Sequence, residues 1–400
     1  MFKDSNHIIE RSAPAEKVEK PASSELSSRL TGLDLARCFA MLMMIQGHVF
    51  FELVDKSFIN YEAFPWNFWE FTRGLTAPTF LIVSGIVQIF ANKRNIDGTL
   101  IDSIRKRRLI MGIVLIAIGY LLVFPASNAL HIIAYQNHDF TTFFQVNILQ
   151  LIGFSLLLLL GLFLITSNNK QLGWTALGLA TFINILTPFV LLSDVFRYLP
   201  RWIAPYFSQA NGTIFPVFPF TAFLLWGAAF GALIQSKQPD ERYAFIKKYG
   251  MIAGLIFVAI GIPLYYWVDS MNLPFIEPYK GNPGMSVVRI GSVLILLSFL
   301  MRLFLKTQFL SRFYTFFGKR ALLIYVIHLL ILYGTPWNLS IGQKYHQSLP
   351  IWSSLLIAFG ILLSTVLVSW AYDYSVRKYE GAKKFYRYSL TALVFFMLFV

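Results

Sequence analysis

Cysteine is almost absent: Cys38 stands alone, which rules out an intrachain disulfide and leaves the redox compartment open. Charge is scarce too. Asp, Glu, Lys and Arg make up 14% of the chain against 56% hydrophobic residues, and with a mean hydropathy of +0.59 this excludes an ordinary soluble domain. Acids are outnumbered by bases, 20 to 34, for a formal charge of +14. That excess does not point to nucleic acid, because the basic residues lie between apolar segments. No nucleotide-binding glycine signature and no GxSxG elbow stands out, and His131, His138 and Asp139 lack zinc-type spacing, so no metal is expected. Residues 1–28 carry no apolar run and read as a disordered cytoplasmic tail. No internal duplication is visible.

What is there is long apolar runs. Windows of bilayer length fall at 32–54, 69–91, 109–125, 146–165, 172–192, 213–235, 249–268, 286–305, 320–334, 351–371 and 386–400. The fold class expected is therefore all-α, a polytopic membrane bundle of eleven helices forming one domain over 29–400. The last window holds only about 15 residues, so it spans a thinned region or lies in the interface. Lys and Arg concentrate in alternate connections, as at Lys93, Arg94 and Arg105 to Arg108, whereas Phe124 to Gln145 has neither. By the positive-inside rule the N-terminus is cytoplasmic, with Asp34 near that side and His48 near the outer one. Gly227 and Gly231 suggest a close helix contact. Asn211-Gly-Thr213 and Asn338-Leu-Ser340 fit the glycosylation pattern, a common chance match.

Two windows carry polar residues on one face. Asp34, Arg37, His48 and Glu52 align along the first helix, with Met41 and Met44 between them, over roughly 27 Å at 1.5 Å per residue. Glu70, Arg73, Ser84 and Gln88 fall in one sector of the second, which Pro78 is expected to kink. Ionisable groups inside a membrane face a protein interior or a watery path. Asp34 and Arg37 read equally well as a structural pair or as a site, and Glu70 with Arg73 as an interfacial pair or a substrate contact. His48 is the best candidate for proton transfer, since its ordinary pKa of about 6.5 lets it hold or release a proton near neutrality; Glu52, one turn on, could orient its ring. His328, in LLIYVIHLL, is open between packing and a site role.

The blocks RLTGLDLARCFAMLMMIQGH, LTAPTFLIVSG, VNILQLIGFS, FPVFPFTAFLLWGAAFG and FGKRALLIYVIH together resemble the catalytic domain of heparan-alpha-glucosaminide N-acetyltransferase and its bacterial relatives. The spacing of Arg37 and His48 is also similar to the arginine-to-histidine motif of type-3 acyltransferases, although Cys38 stands where that family usually has glycine. The resemblance implies a bacterial inner-membrane acyltransferase that moves an acyl group, most readily acetyl, from cytoplasmic acetyl-CoA or another acyl-CoA to an amine or hydroxyl of a glycan or amino sugar outside. It implies His48 as the base or acyl carrier and Arg37, tethered by Asp34, as the group that binds CoA or stabilises charge. Glu52, Glu70, Arg73, Ser84, Gln88 and His328 are then the acceptor contacts. Lys93, Arg94, Arg105, Arg107 and Arg108 either hold the CoA phosphates or only set topology. Partners expected are the lipid bilayer, the acceptor, and a second copy if the protein is a homodimer. The rival function is a secondary transporter using the same polar faces, whose mark would be two related halves with broken helices.

Overall fold

The computed structural model describes residues 30–124, 141–209, 212–275, 277–335 and 339–399. The tail at 1–28, His131, His138, Asp139 and both acceptor asparagines, Asn211 and Asn338, lie outside the described residues. The long helices are α1 (Gly32–Leu53), α2 (Trp66–Gly74), α3 (Thr76–Phe90), α4 (Asp102–Leu122), α5 (Ile148–Ile165) and α6 (Asn169–Leu192). They continue with α7 (Val217–Gln235), α8 (Arg242–Asp269), α9 (Pro283–Lys306), α10 (Ser311–Leu332), α11 (Ile351–Lys378) and α12 (Ala382–Phe399). Among the described residues there is no strand, only isolated bridges such as Val54 with Leu349.

Nine spans among the described residues are long and apolar enough to cross a membrane, α2 and α3 together making one of them. The two further windows are helical but more polar. α4 starts at Asp102 and takes Arg105, Lys106, Arg107 and Arg108 into its first two turns, where a connection was expected; α12 carries Lys383, Lys384 and Arg387. Large apolar side chains such as Phe182, Phe189, Leu255, Ile256, Phe359 and Leu363 stand exposed around the bundle. Water would not tolerate such a sheath, and lipid does. The protein is an all-α polytopic integral membrane bundle.

Helix α1 sits inside it, against α3, α9, α10 and α11. One face, Leu33, Leu35 and Ala36, joins the larger core. The other, Cys38, Met41, Ile45, Val49 and Leu53, packs with Phe317, Ile324 and Leu332 of α10 and with Ala358 and Ile361 of α11. Apolar burial gains little against lipid, so close helix approach at small residues must hold the spans together. At the GAAFG step a Cβ on Gly227 would come within 2.7 Å of the Ile82 Cα, and one on Gly231 within 2.8 Å of the Ile86 Cα. Gly254 of α8 and Gly291 of α9 meet in the same way, each facing the other's carbonyl.

The expected kink at Pro78 appears one turn upstream, as a break at Leu75 between α2 and α3. Proline has no N–H to bond the carbonyl four residues back, here Gly74, and its ring crowds that turn. Pro78 itself lies in the first turn of α3, where the missing donor costs least. The break puts Glu70 and Arg73 on α2 and Ser84 and Gln88 on α3.

Gly227→Val should destabilise the protein by about 1–3 kcal/mol, because its side chain must displace the Ile82 backbone. Gly360→Ala, with nothing within 4 Å of the added carbon, should raise stability by about 0.5–1 kcal/mol through helix propensity alone. Thermal unfolding in detergent checks both, and equal effects would contradict the packing described.

Candidate functional site

The lone imidazole of α1 has a partner from the far end of the sequence. His48 Nδ1 lies 3.0 Å from His328 Nε2, and the rings stack with centroids 5.3 Å apart. His328 Nδ1 in turn lies 3.2 Å from the Ile324 carbonyl. A carbonyl only accepts, so His328 Nδ1 carries a hydrogen. With both rings neutral, His328 Nε2 must then accept from His48 Nδ1–H. The lone pair of His48 Nε2 is left outside the pair. This is the orientation and tautomer a general base requires, set here by a second histidine and a backbone carbonyl.

Polar groups from α2, α10 and α11's approach segment surround that end. Arg73 is the guanidinium whose charge reaches His48, and its Cγ would lie 3.1 Å from a Cβ placed on the neighbouring Gly47. Arg73 pairs with Glu70 at 2.7 Å and lies over the rings of Trp69 and Phe51. Trp69 donates to Gln46 at 3.1 Å. Tyr333 stands edge-on to His48 with centroids 6.0 Å apart. Glu52 does not orient the His48 ring: its carboxylate turns to His346 Nδ1 at 2.8 Å, at the end of the short helix Ile341–Tyr345. Farther round, the helical turn Pro278–Gly281 holds Tyr279 and Lys280, and both bond Glu277. Burial pulls the Lys280 ammonium below the usual lysine range, against the pull of Glu277, and pushes the Tyr279 phenol up.

Asp34 and Arg37 lie at the opposite end of α1. They pair at 3.6 Å, with Asp34 buried against Gly318 of α10, where any Cβ would overlap its carboxylate. Between the two ends Met41 and Ile45 are 1% exposed and Phe317 is 2%. The middle of the expected polar track is thus a packed apolar layer. Eleven residues at 1.5 Å each put Arg37 and His48 about 16 Å apart along the helix.

The basic residues after α3 divide by environment. Arg94 is held by the carbonyls of Gly98, Phe163 and Thr166 and so closes the C-terminal end of α5; Arg108 donates to the Gln88 carbonyl and covers Phe163 at 3.9 Å. Lys93, Arg105 and Arg107 are exposed, Arg105 beside Asp102 at 2.9 Å. Ser84 and Gln88 are half-buried on α3. Sequence reasoning did not select Tyr333, His346, Lys280 or Arg289. The one usable signal was Arg289, which shares the apolar window 286–305 with only one other charge, Arg302. Among the described residues no group of three His, Cys, Asp or Glu is placed to hold a metal.

A family model described as heparan-alpha-glucosaminide N-acetyltransferase, catalytic, matches residues 29–268, more than half of the 400. No curated protein matches the chain. The match takes in α1 to α8 and stops before His328 and Arg289. The hydrogen count at the imidazole pair can be read directly by NMR of isotope-labelled histidine at neutral pH. His48 should be protonated at Nδ1 and bare at Nε2, and His328 should show the same pattern; a proton on His48 Nε2 in the resting protein would overturn the assignment.

Proposed function

Because the chain belongs to the heparan-alpha-glucosaminide N-acetyltransferase catalytic-domain family, we propose that it transfers an acetyl group from acetyl-CoA to an amino-sugar or glycan acceptor at His48. The family indicates a membrane acetyltransferase in general; the donor, the acceptor, the sidedness and the residue roles are the proposal. The observation that carries it is the imidazole pair, whose free Nε2 faces away from its partner at one end of the bundle.

In the proposed reaction the acceptor nitrogen or oxygen attacks the thioester carbonyl carbon while its proton passes to His48 Nε2. The carbon–sulfur bond then breaks, and the departing thiolate takes that proton from the imidazolium. His328 is a positioning residue: it fixes the tautomer and shares the charge that His48 gains. General-base catalysis of this kind typically contributes about 10² to 10⁴ in rate. Arg73 is the cation beside His48 and faces the charge that develops on the carbonyl oxygen. Arg37 and Asp34, at the other end, serve the CoA side, with Lys93, Arg105 and Arg107 as the exposed cations for its phosphates.

Acetyl delivery to His48 requires the layer of Met41, Ile45 and Phe317 to open. Met41 and Met44 are unbranched and repack readily, which suits a passage that forms only around the donor's thin arm. The carrier reading needs two related halves, and the family match favours catalysis over it. With labelled acetyl-CoA and protein in native-like membranes, His48→Ala should abolish acetyl transfer, while His328→Ala should lower kcat by about 10² with KM little altered. Retained turnover in His48→Ala would rule out this mechanism. An equal loss of donor-induced thermal stabilisation in both variants would show that they damage binding instead.

A further inference from the structure

Reached from the imidazole pair through Arg73 and Glu70, a group of three cations and two carboxylates gathers. Glu70 is taken by Arg73 through Oε1 at 2.7 Å. Glu277 is taken by Lys280 through Oε1 at 2.7 Å and by the Tyr279 hydroxyl through Oε2. The remaining cation is Arg289, in the second turn of α9 and 8% exposed. Among the described residues it makes no hydrogen bond and no ion pair. Its guanidinium carbon stands 5.4 Å from the Tyr279 ring centre, and Glu70 and Glu277 act on it only at longer range. A cation–π contact does not neutralise a buried charge, and an unpaired one is among the costliest groups a fold can hold.

The same place gathers oxygens without partners. Glu70 Oε2, Thr76 Oγ1 and Ser286 Oγ are buried and make no hydrogen bond. Ser286 lies one turn before Arg289 on α9. Gly74, between Glu70 and Thr76, lies against the guanidinium, where an added Cβ would be 3.5 Å from Nη2. Ser286 shares the Arg289 face of α9, Thr76 follows two residues after the Gly74 that meets the guanidinium, and Glu70 acts on the same cation; native interiors rarely leave such groups without a ligand or water. They lie at the reactive end of the bundle, since Arg73 joins Glu70 to the turn of α1 that carries His48.

We propose that Arg289, with the hydroxyls of Ser286 and Thr76, is a subsite for an anionic group, a carboxylate or phosphate, borne by the acceptor, and that Glu70 Oε2 accepts a hydroxyl or amine of the same molecule. This rests on the reading of His48 as the reacting end. A guanidinium binds an oxyanion through two parallel bonds, so the subsite sets which sugars are acetylated and how they are oriented toward His48 Nε2.

The test uses the full-length protein in phosphatidylcholine nanodiscs, with glucosamine 6-phosphate, glucosamine and inorganic phosphate as probes. Glucosamine 6-phosphate should raise the melting temperature of the wild type, and Arg289→Gln should abolish that shift while melting no lower than wild type without ligand, because it relieves an unpaired charge. Arg289→Lys, which keeps the charge but loses the fork, should retain part of the shift and carries the test if the glutamine variant does not fold. In turnover, Arg289→Gln should raise KM for glucosamine 6-phosphate about tenfold or more relative to that for glucosamine. An undiminished shift in Arg289→Gln would overturn the subsite. So would stabilisation by phosphatidylglycerol nanodiscs but not by the soluble anions, which would assign the position to a lipid headgroup. An Arg289-dependent shift without acetyl transfer to either sugar would sink the transferase reading and leave the anion site standing.

Discussion

One hydrogen bond organises one polar end of this bundle: the contact between the imidazoles of His48 and His328, side chains 280 residues apart in the chain. In a bilayer core no water is at hand to complete a polar side chain, so each must find its partner within the protein. His48 finds one on α10, and α10 supplies the backbone carbonyl that settles where the hydrogens lie. The geometry holds only because α1 is clasped by α3, α9, α10 and α11, with Val49 and Leu53 buried just beyond the histidine. Packing energy at small residues thereby becomes chemical definition at a nitrogen atom.

The polar groups separate into two ends with an apolar layer between. At one end Asp34 and Arg37 pair against Gly318; at the other Arg73 lies by the turn of His48 and pairs with Glu70, and Glu277 holds Tyr279 and Lys280. Met41, Ile45 and Phe317 close the space between them. The cations divide similarly. Arg94 and Arg108 donate to backbone carbonyls and lie over Phe163, whereas Arg289 makes no hydrogen bond and no ion pair among the described residues.

Much of this was legible in advance. Apolar runs of bilayer length located the nine spans found among the described residues, and two further windows became more polar helices, because helix hydrogen bonding and hydrocarbon thickness leave the chain few other solutions. Boundaries shifted where charge entered a helix: Arg105 to Arg108 read as a connection, yet they form the first turns of α4, since long basic side chains reach water from a helix end. Pro78 predicted an interruption and produced one, displaced to Leu75 by the geometry of the missing bond. His48 and His328 both stood out as polar residues in apolar runs. That they touch could not be read from either run, because periodicity describes one helix at a time.

The sequence by itself determined the class of protein, the helical periods, the polar positions on α1 and the family likeness, since composition and spacing along one chain suffice for these. Only the tertiary structure decided that Glu52 serves His346, that His48 leans on His328, that Met41 is buried between the two polar ends, and that Arg289 has no ion-pair partner among the described residues. Those four facts depend on which helix faces which and at what rotation. No single helix carries that information, because it arises from the packing of the spans against one another.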